Sequence, residues 1–156
     1  MKELSPGELS AFIVRAKAAT YIGGGATSPP CRPGARELRY AEGSFAYHDS
    51  YFGTADFLGQ EVVYFRGEPV WAMNYYGRIL APDLITAAEV GAVLRRSLSK
   101  MYRQGRFLGG FACADGDDTY RDASEGELGA FSGREEIVRR GARVYELLYH
   151  GGFIKK

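Results

Sequence analysis

Asp49 and Glu61 are carboxylates that could carry proton transfer, and Tyr47 and His48 stand immediately before the first of them. Two carboxyl groups that converge on one cleft, with their pKa values driven apart, can serve as general acid and base. With His48 or Tyr47 as a third group they would make a site of hydrolase or isomerase type. The same carboxylates can instead accept backbone N–H bonds at a turn, or pair with an arginine such as Arg66 or Arg140. A second set, Tyr47, Tyr51, Tyr64, Trp71, Asn74 and Tyr76 with His48 and Phe65 nearby, has the aromatic walls and few polar anchors of a small-molecule pocket. A larger core, or an aromatic surface used for self-association, would draw on the same residues.

Other chemistries lack their signatures. His48, Asp49 and Ser50 are consecutive, so on a strand they point to alternate faces and cannot meet as a triad. No GxSxG elbow is present. His48 and His150 are the two histidines, without HExxH or Cys/His spacing, so no metal and no cofactor are expected. DGDDTYRD, from Asp115 to Asp122, lacks the glycine and final glutamate of a calcium loop and reads as a hairpin turn. The GGG run at 23–25 lacks the rest of a phosphate loop.

The 156 residues carry a net charge of +1, which offers no bulk attraction to nucleic acid. Arg134, Arg139, Arg140 and Arg143 cluster, but Glu135, Glu136 and Glu146 are interleaved with them, as on a solvated strand face. Cys31 and Cys113 lie far apart and read as free thiols in a reducing compartment. No apolar run approaches the roughly 18 residues of a membrane span, and the first ten residues carry no secretory pattern, so a cytoplasmic location and no membrane partner are expected.

The elements that must position these groups come in two sets. Gly43, Tyr47, Asp49 and Gly53 recur 73 residues later as Gly116, Tyr120, Asp122 and Gly126. With one residue inserted, Phe57, Gly59, Glu61, Arg66, Gly67, Tyr75 and Gly77 recur 74 residues later as Phe131, Gly133, Glu135, Arg140, Gly141, Tyr149 and Gly151. The match predicts one domain built from two copies of a unit, about 5–80 and 84–154. Ser5, Pro6 and Glu8 make a helix start, as do Thr86 and Glu89 in the second copy. Glu8, Arg15 and Tyr21 match Glu89, Arg96 and Tyr102 at a spacing of 81.

Each helix is followed by about four strands, with turns at Glu42-Gly43, Arg66-Gly67, Asp115-Gly116 and Arg140-Gly141. Alternation turns Trp71, Met73 and Tyr75, and likewise Tyr145, Leu147 and Tyr149, toward the helices. The expected fold is α+β, two helices packed on one large antiparallel sheet or partly closed barrel. Residues kept in both copies are expected to serve the scaffold, and residues unique to one copy to serve a site. The Gly- and Pro-rich loop at 23–36, found only in the first copy, reads either as a tolerated insertion or as a lid.

The segments AKAATYIGGG, GSFAYHDSYFGTADFLGQE, PVWAMNYYG and VYELLYHGGFI resemble an uncharacterised bacterial and archaeal family, a domain of unknown function, from about Phe12 to Ile154. Its members stand alone or follow a Cro-like helix-turn-helix. That association implies a sensing or ligand-binding role and carries over no catalytic residue. About four residues precede the first helix here, so no DNA-binding module, and no direct nucleic-acid contact, is expected. Three functions follow: a small-molecule-binding or sensor module with a cavity bordered by Trp71, Asn74 and Tyr76; an enzyme using Asp49 and Glu61 with His48 or Tyr47; or a structural protein that pairs as a homodimer.

Overall fold

The computed structural model describes residues 4–24, 26–27 and 29–155. Helix α1, Pro6–Lys17, opens with Ser5 as N-cap: its hydroxyl accepts from the Glu8 N–H while the Glu8 carboxylate accepts from the Ser5 N–H. Helix α2, Ala87–Tyr102, opens with the same reciprocal cap between Thr86 and Glu89. α1 runs directly into a π turn, Ala18–Ile22, closed by the Gly23 N–H to the Ala18 carbonyl at 3.0 Å. π turns are rare and recur at functional sites.

The strands are β1 Ala26–Thr27, β2 Arg36–Glu42, β3 Phe45–Gly53, β4 Phe57–Phe65, β5 Glu68–Ile79, β6 Phe111–Asp115, β7 Asp118–Glu127, β8 Ala130–Arg139 and β9 Ala142–Phe153. They form one antiparallel sheet in the order β1-β2-β3-β4-β5-β9-β8-β7-β6. β1 and β6 lie at opposite edges, so the sheet is open and the partly closed barrel does not form. The fold is α+β and mostly sheet, with β5 and β9 joining its two halves.

The halves share local geometry. Arg66-Gly67 and Arg140-Gly141 are two-residue hairpins in which both residues have positive φ, 53° and 83° in one, 50° and 81° in the other. That is the type I′ turn, which suits the twist of paired strands and here puts an arginine where glycine or asparagine is usual. A register shift follows Val63 in β4 and Ile137 in β8. Arg15 of α1 pairs with Glu42 at 2.8 Å, and Arg96 of α2 pairs with Asp115 at 2.6 Å.

Apolar residues of both helices and of one sheet face make a single core. Phe12 of α1 stacks on Phe45 at 4.6 Å between centroids, and Trp71 packs against Phe107 and Phe131. Trp71, Met73, Tyr75, Tyr145, Leu147 and Tyr149 are buried on this inner face. On the outer face the arginines are ion-paired: Arg78, Arg134 and Arg143 surround Glu146, and Arg121 and Arg143 reach Glu136. No helix among the described residues is long and apolar enough to cross a membrane.

Candidate functional site

Sheet register sets the chemistry of the inner face. Asp49 of β3 lies directly opposite Glu61 of β4, and Asp122 of β7 directly opposite Glu135 of β8. Like charges in that position repel, so each pair needs a cation, a proton or a hydrogen-bond donor. Between the pairs, Tyr75 of β5 lies opposite Tyr149 of β9. The Tyr75 hydroxyl donates to Asp49 Oδ1 at 2.6 Å, and the Tyr149 hydroxyl donates to Asp122 Oδ1 at 2.7 Å.

Each tyrosine crosses a strand to reach its carboxylate, and glycine makes the crossing possible. A Cβ on Gly59 would lie 2.3 Å from the Tyr75 hydroxyl oxygen, and one on Gly133 would lie 2.2 Å from Tyr149 Cζ. Only a bare backbone fits beneath these rings.

The first pair also has a cation. Lys17, the last residue of α1, is 5% exposed; its Nζ donates to Glu61 Oε1 at 2.8 Å and lies 2.6 Å from Oε2. Oε2 is buried and receives no hydrogen bond of good geometry, so the second contact is purely electrostatic. The ammonium also sits 5.4 Å from the centre of the Phe107 ring. The residue 81 positions on is Leu98, so the second pair has no such partner. Glu135 forms no ion pair of salt-bridge distance among the described residues; the Lys17 charge and the neutral Tyr120 hydroxyl act on it from nearby and partly offset the burial that raises its carboxyl pKa.

Burial, followed by the charge of Glu61, pushes the Asp49 carboxyl up to about 7. Burial, followed by the charge of Asp122, pushes Glu135 up to about 8. Asp122 is raised chiefly by burial and held back by the Tyr149 hydrogen bond. At neutral pH the site therefore holds protonated carboxyl groups, which can donate as well as accept.

Lys17, Asp49, Glu61, Tyr75 and Glu135 line a cavity of about 430 Å³ between the sheet and both helices, and Asp122 and Tyr149 lie outside its lining. Its floor includes Asp49, Glu61, Met73, Tyr75, Glu135 and Leu147. Lys17 and Tyr21 reach it from α1 and the π turn, and Leu94, Leu98 and Tyr102 from α2. The exposed rim carries Arg36, Thr54, Ala55, Ala88 and Arg95. Two other hollows, near Phe111 and near Leu84, are lined largely by surface residues. Among the described residues no three His, Cys, Asp or Glu side chains gather closely enough to hold a metal ion.

The structure brings together Tyr47, Asp49, Tyr51 and Glu61 from the sequence candidates, all on the cavity wall. The others lie elsewhere. His48 is on the outer face, its ring 5.1 Å from that of Tyr64, and burial and Arg39 lower its pKa. Asn74 and Tyr76 are exposed on the outer face, Asn74 accepting a hydrogen bond from Gln60 at 2.8 Å. Trp71 is fully buried in a packed aromatic core and donates its indole N–H to the Leu128 carbonyl at 3.1 Å. A cavity bordered by Trp71, Asn74 and Tyr76 is thus replaced by one on the inner face. Strand alternation forbids it, because Trp71 and Asn74 point to opposite faces.

Sequence reasoning missed Lys17, Tyr21, Tyr75, Tyr102 and Glu135 as cavity residues. Lys17 had a signal: it falls four residues after Ile13, on the apolar stripe of α1. Of the described part of the long loop, Arg36 at its end reaches the cavity rim, while Arg32 reaches Ser50 and lies over the Phe52 ring. Gly25 and Ser28, within that loop, lie outside the described residues.

A family described as a domain of unknown function, DUF5680, matches residues 49–154. The chain belongs to this family. The DUF5680 match takes in both carboxylate pairs and both crossing tyrosines, and it begins after Lys17 and Tyr21. No curated protein matches the chain.

Proposed function

We propose that this protein is a small-molecule-binding module, of the kind used in sensing, and that its ligand occupies the inner-face cavity. The observation that carries this reading is the cavity itself: about 430 Å³ between sheet and helices, with apolar walls and convergent tyrosine and carboxyl groups. That volume and lining are those of sites for small, partly apolar ligands. The two halves are read as copies of one unit; the first contributes Asp49, Glu61 and Tyr75 to the site, and the second contributes Glu135. Residues kept in both copies then serve the site as well as the scaffold.

The test is to denature protein purified without added ligand and identify what it releases by mass spectrometry, alongside Gly91→Phe. Gly91 lines the cavity, and a Cβ there would meet only the Arg95 side chain, at 3.3 Å. The variant should fold and release nothing. Equal release from Gly91→Phe and the parent protein would place the ligand elsewhere and overturn the reading.

One observation favours an enzyme as the second reading. Asp49 and Glu61 are directly opposed, Asp49 is pushed up to about 7, and Tyr47 shares their wall, which is an acid–base arrangement without His48. Turnover abolished by Asp49→Asn, with binding kept, would select it.

A further inference from the structure

The cavity wall has a charge imbalance that bears on what it holds. Asp49, Glu61 and Glu135 all line it, and Lys17 is the one enclosed cation facing them among the described residues. That lysine donates its hydrogen bond to Glu61 and its charge also reaches Asp49 and Glu135, which otherwise have the neutral hydroxyls of Tyr75 and Tyr120 beside them. Near neutral pH protonation relieves Asp49 and Glu135, and a cation that enters can take the place of those protons. The same wall presents the rings of Tyr21, Tyr47, Tyr51, Phe57, Tyr75 and Tyr102. Aromatic faces beside a carboxylate attract diffuse positive charge, as in cages for substituted ammonium groups. No three carboxylates among the described residues gather closely enough to hold a metal ion, whereas an organic cation can reach more than one of them across the cavity. Arg36 and Arg95 stand at the exposed rim, outside the carboxylate floor.

We propose that the ligand is an organic cation, an aryl or alkyl ammonium compound, whose charge lies between Glu135 and Asp49 against the tyrosine rings. The proposal rests on the cavity reading above and specifies its ligand class.

Three probes of similar shape test it by ligand-observed NMR titration at pH 8.5: phenyltrimethylammonium, its uncharged isostere tert-butylbenzene, and benzenesulfonate. The cation should bind about 10-fold more tightly than tert-butylbenzene, and benzenesulfonate more weakly than either. Glu135→Gln should remove most of that preference while leaving tert-butylbenzene affinity unchanged, and Gly91→Phe should abolish binding of all three. Asp49→Asn provides a second neutral variant should Glu135→Gln fail to fold. Equal affinity for cation and isostere, a preference for the sulfonate, or a cation preference that survives both neutral variants would overturn the ligand class and leave the cavity reading standing. Failure of every probe to bind would overturn both.

Discussion

The two halves of the sheet set the same problem and answer it differently. In each, an Asp and a Glu face one another across neighbouring strands, and a tyrosine from the central pair β5–β9 reaches over a glycine to the Asp. In the first half the Glu is paired with Lys17; in the second, the position at the same helical spacing is Leu98, and Glu135 has the neutral Tyr120 hydroxyl beside it in place of an ion pair. One carboxylate is answered by an amino group and the other by a proton. A shared scaffold can thus hold one pair as structure and leave the other open to a partner from outside.

The largest test of this contrast is Lys17→Met. Removing one member of a buried ion pair strands the other, so the variant should lose about 3–5 kcal/mol at pH 8 in denaturant unfolding. Leu98→Met, its counterpart, should change stability by less than about 1.5 kcal/mol. Similar losses from both would erase the distinction between the halves.

Gly59→Ala and Gly133→Ala probe what the halves have in common. Each methyl would strike a tyrosine, the Tyr75 hydroxyl oxygen at 2.3 Å and the Tyr149 ring at 2.2 Å, and each should cost about 1–3 kcal/mol. A cost confined to one glycine would show that the tyrosine crossings are not equivalent.

The pH dependence of stability sharpens the contrast further. Folded Glu135 and Asp49 keep their protons up to about 8 and about 7, against ordinary values of 4.5 and 3.8. Between the lower and upper values the folded state binds more protons than the unfolded chain, so these groups make stability fall as pH rises from about 4 to 8. Glu135→Gln, neutral throughout, should flatten that slope and gain about 1.4 kcal/mol or more at pH 8.5, with little change at pH 4. Urea midpoints at the two pH values check this, and an unchanged slope would mean that Glu135 is ionised in the fold. Smallest and most even should be Ser5→Ala and Thr86→Ala, each losing about 1 kcal/mol by removal of its helix cap. Thermal unfolding reads both, and a marked inequality would show that one helix anchors its half more firmly.

Much of this frame can be read from residue order. Both caps follow from Ser5 with Glu8 and Thr86 with Glu89, and the hairpins from their glycines. The buried faces of β5 and β9 follow from alternation alone. Part of the site was legible too, since Tyr47, Asp49, Tyr51 and Glu61 all line the cavity. The rest depends on register and helix rotation, which no local pattern encodes. Glu61 meets Lys17 across 44 residues of chain, and Tyr75 meets Asp49 across 26. Aromatic composition drew in Trp71, Asn74 and Tyr76 because it counts residue types and ignores which face each one takes.

The tyrosines laid across Gly59 and Gly133 also have a mechanical consequence. Ladder hydrogen bonds and two clamped rings stiffen the floor where the carboxylates sit, whereas the helical roof meets it only through side chains. Any adjustment to guests of different size would then fall to the helices. The floor would keep its charges at fixed spacing, and the roof would act as the compliant wall.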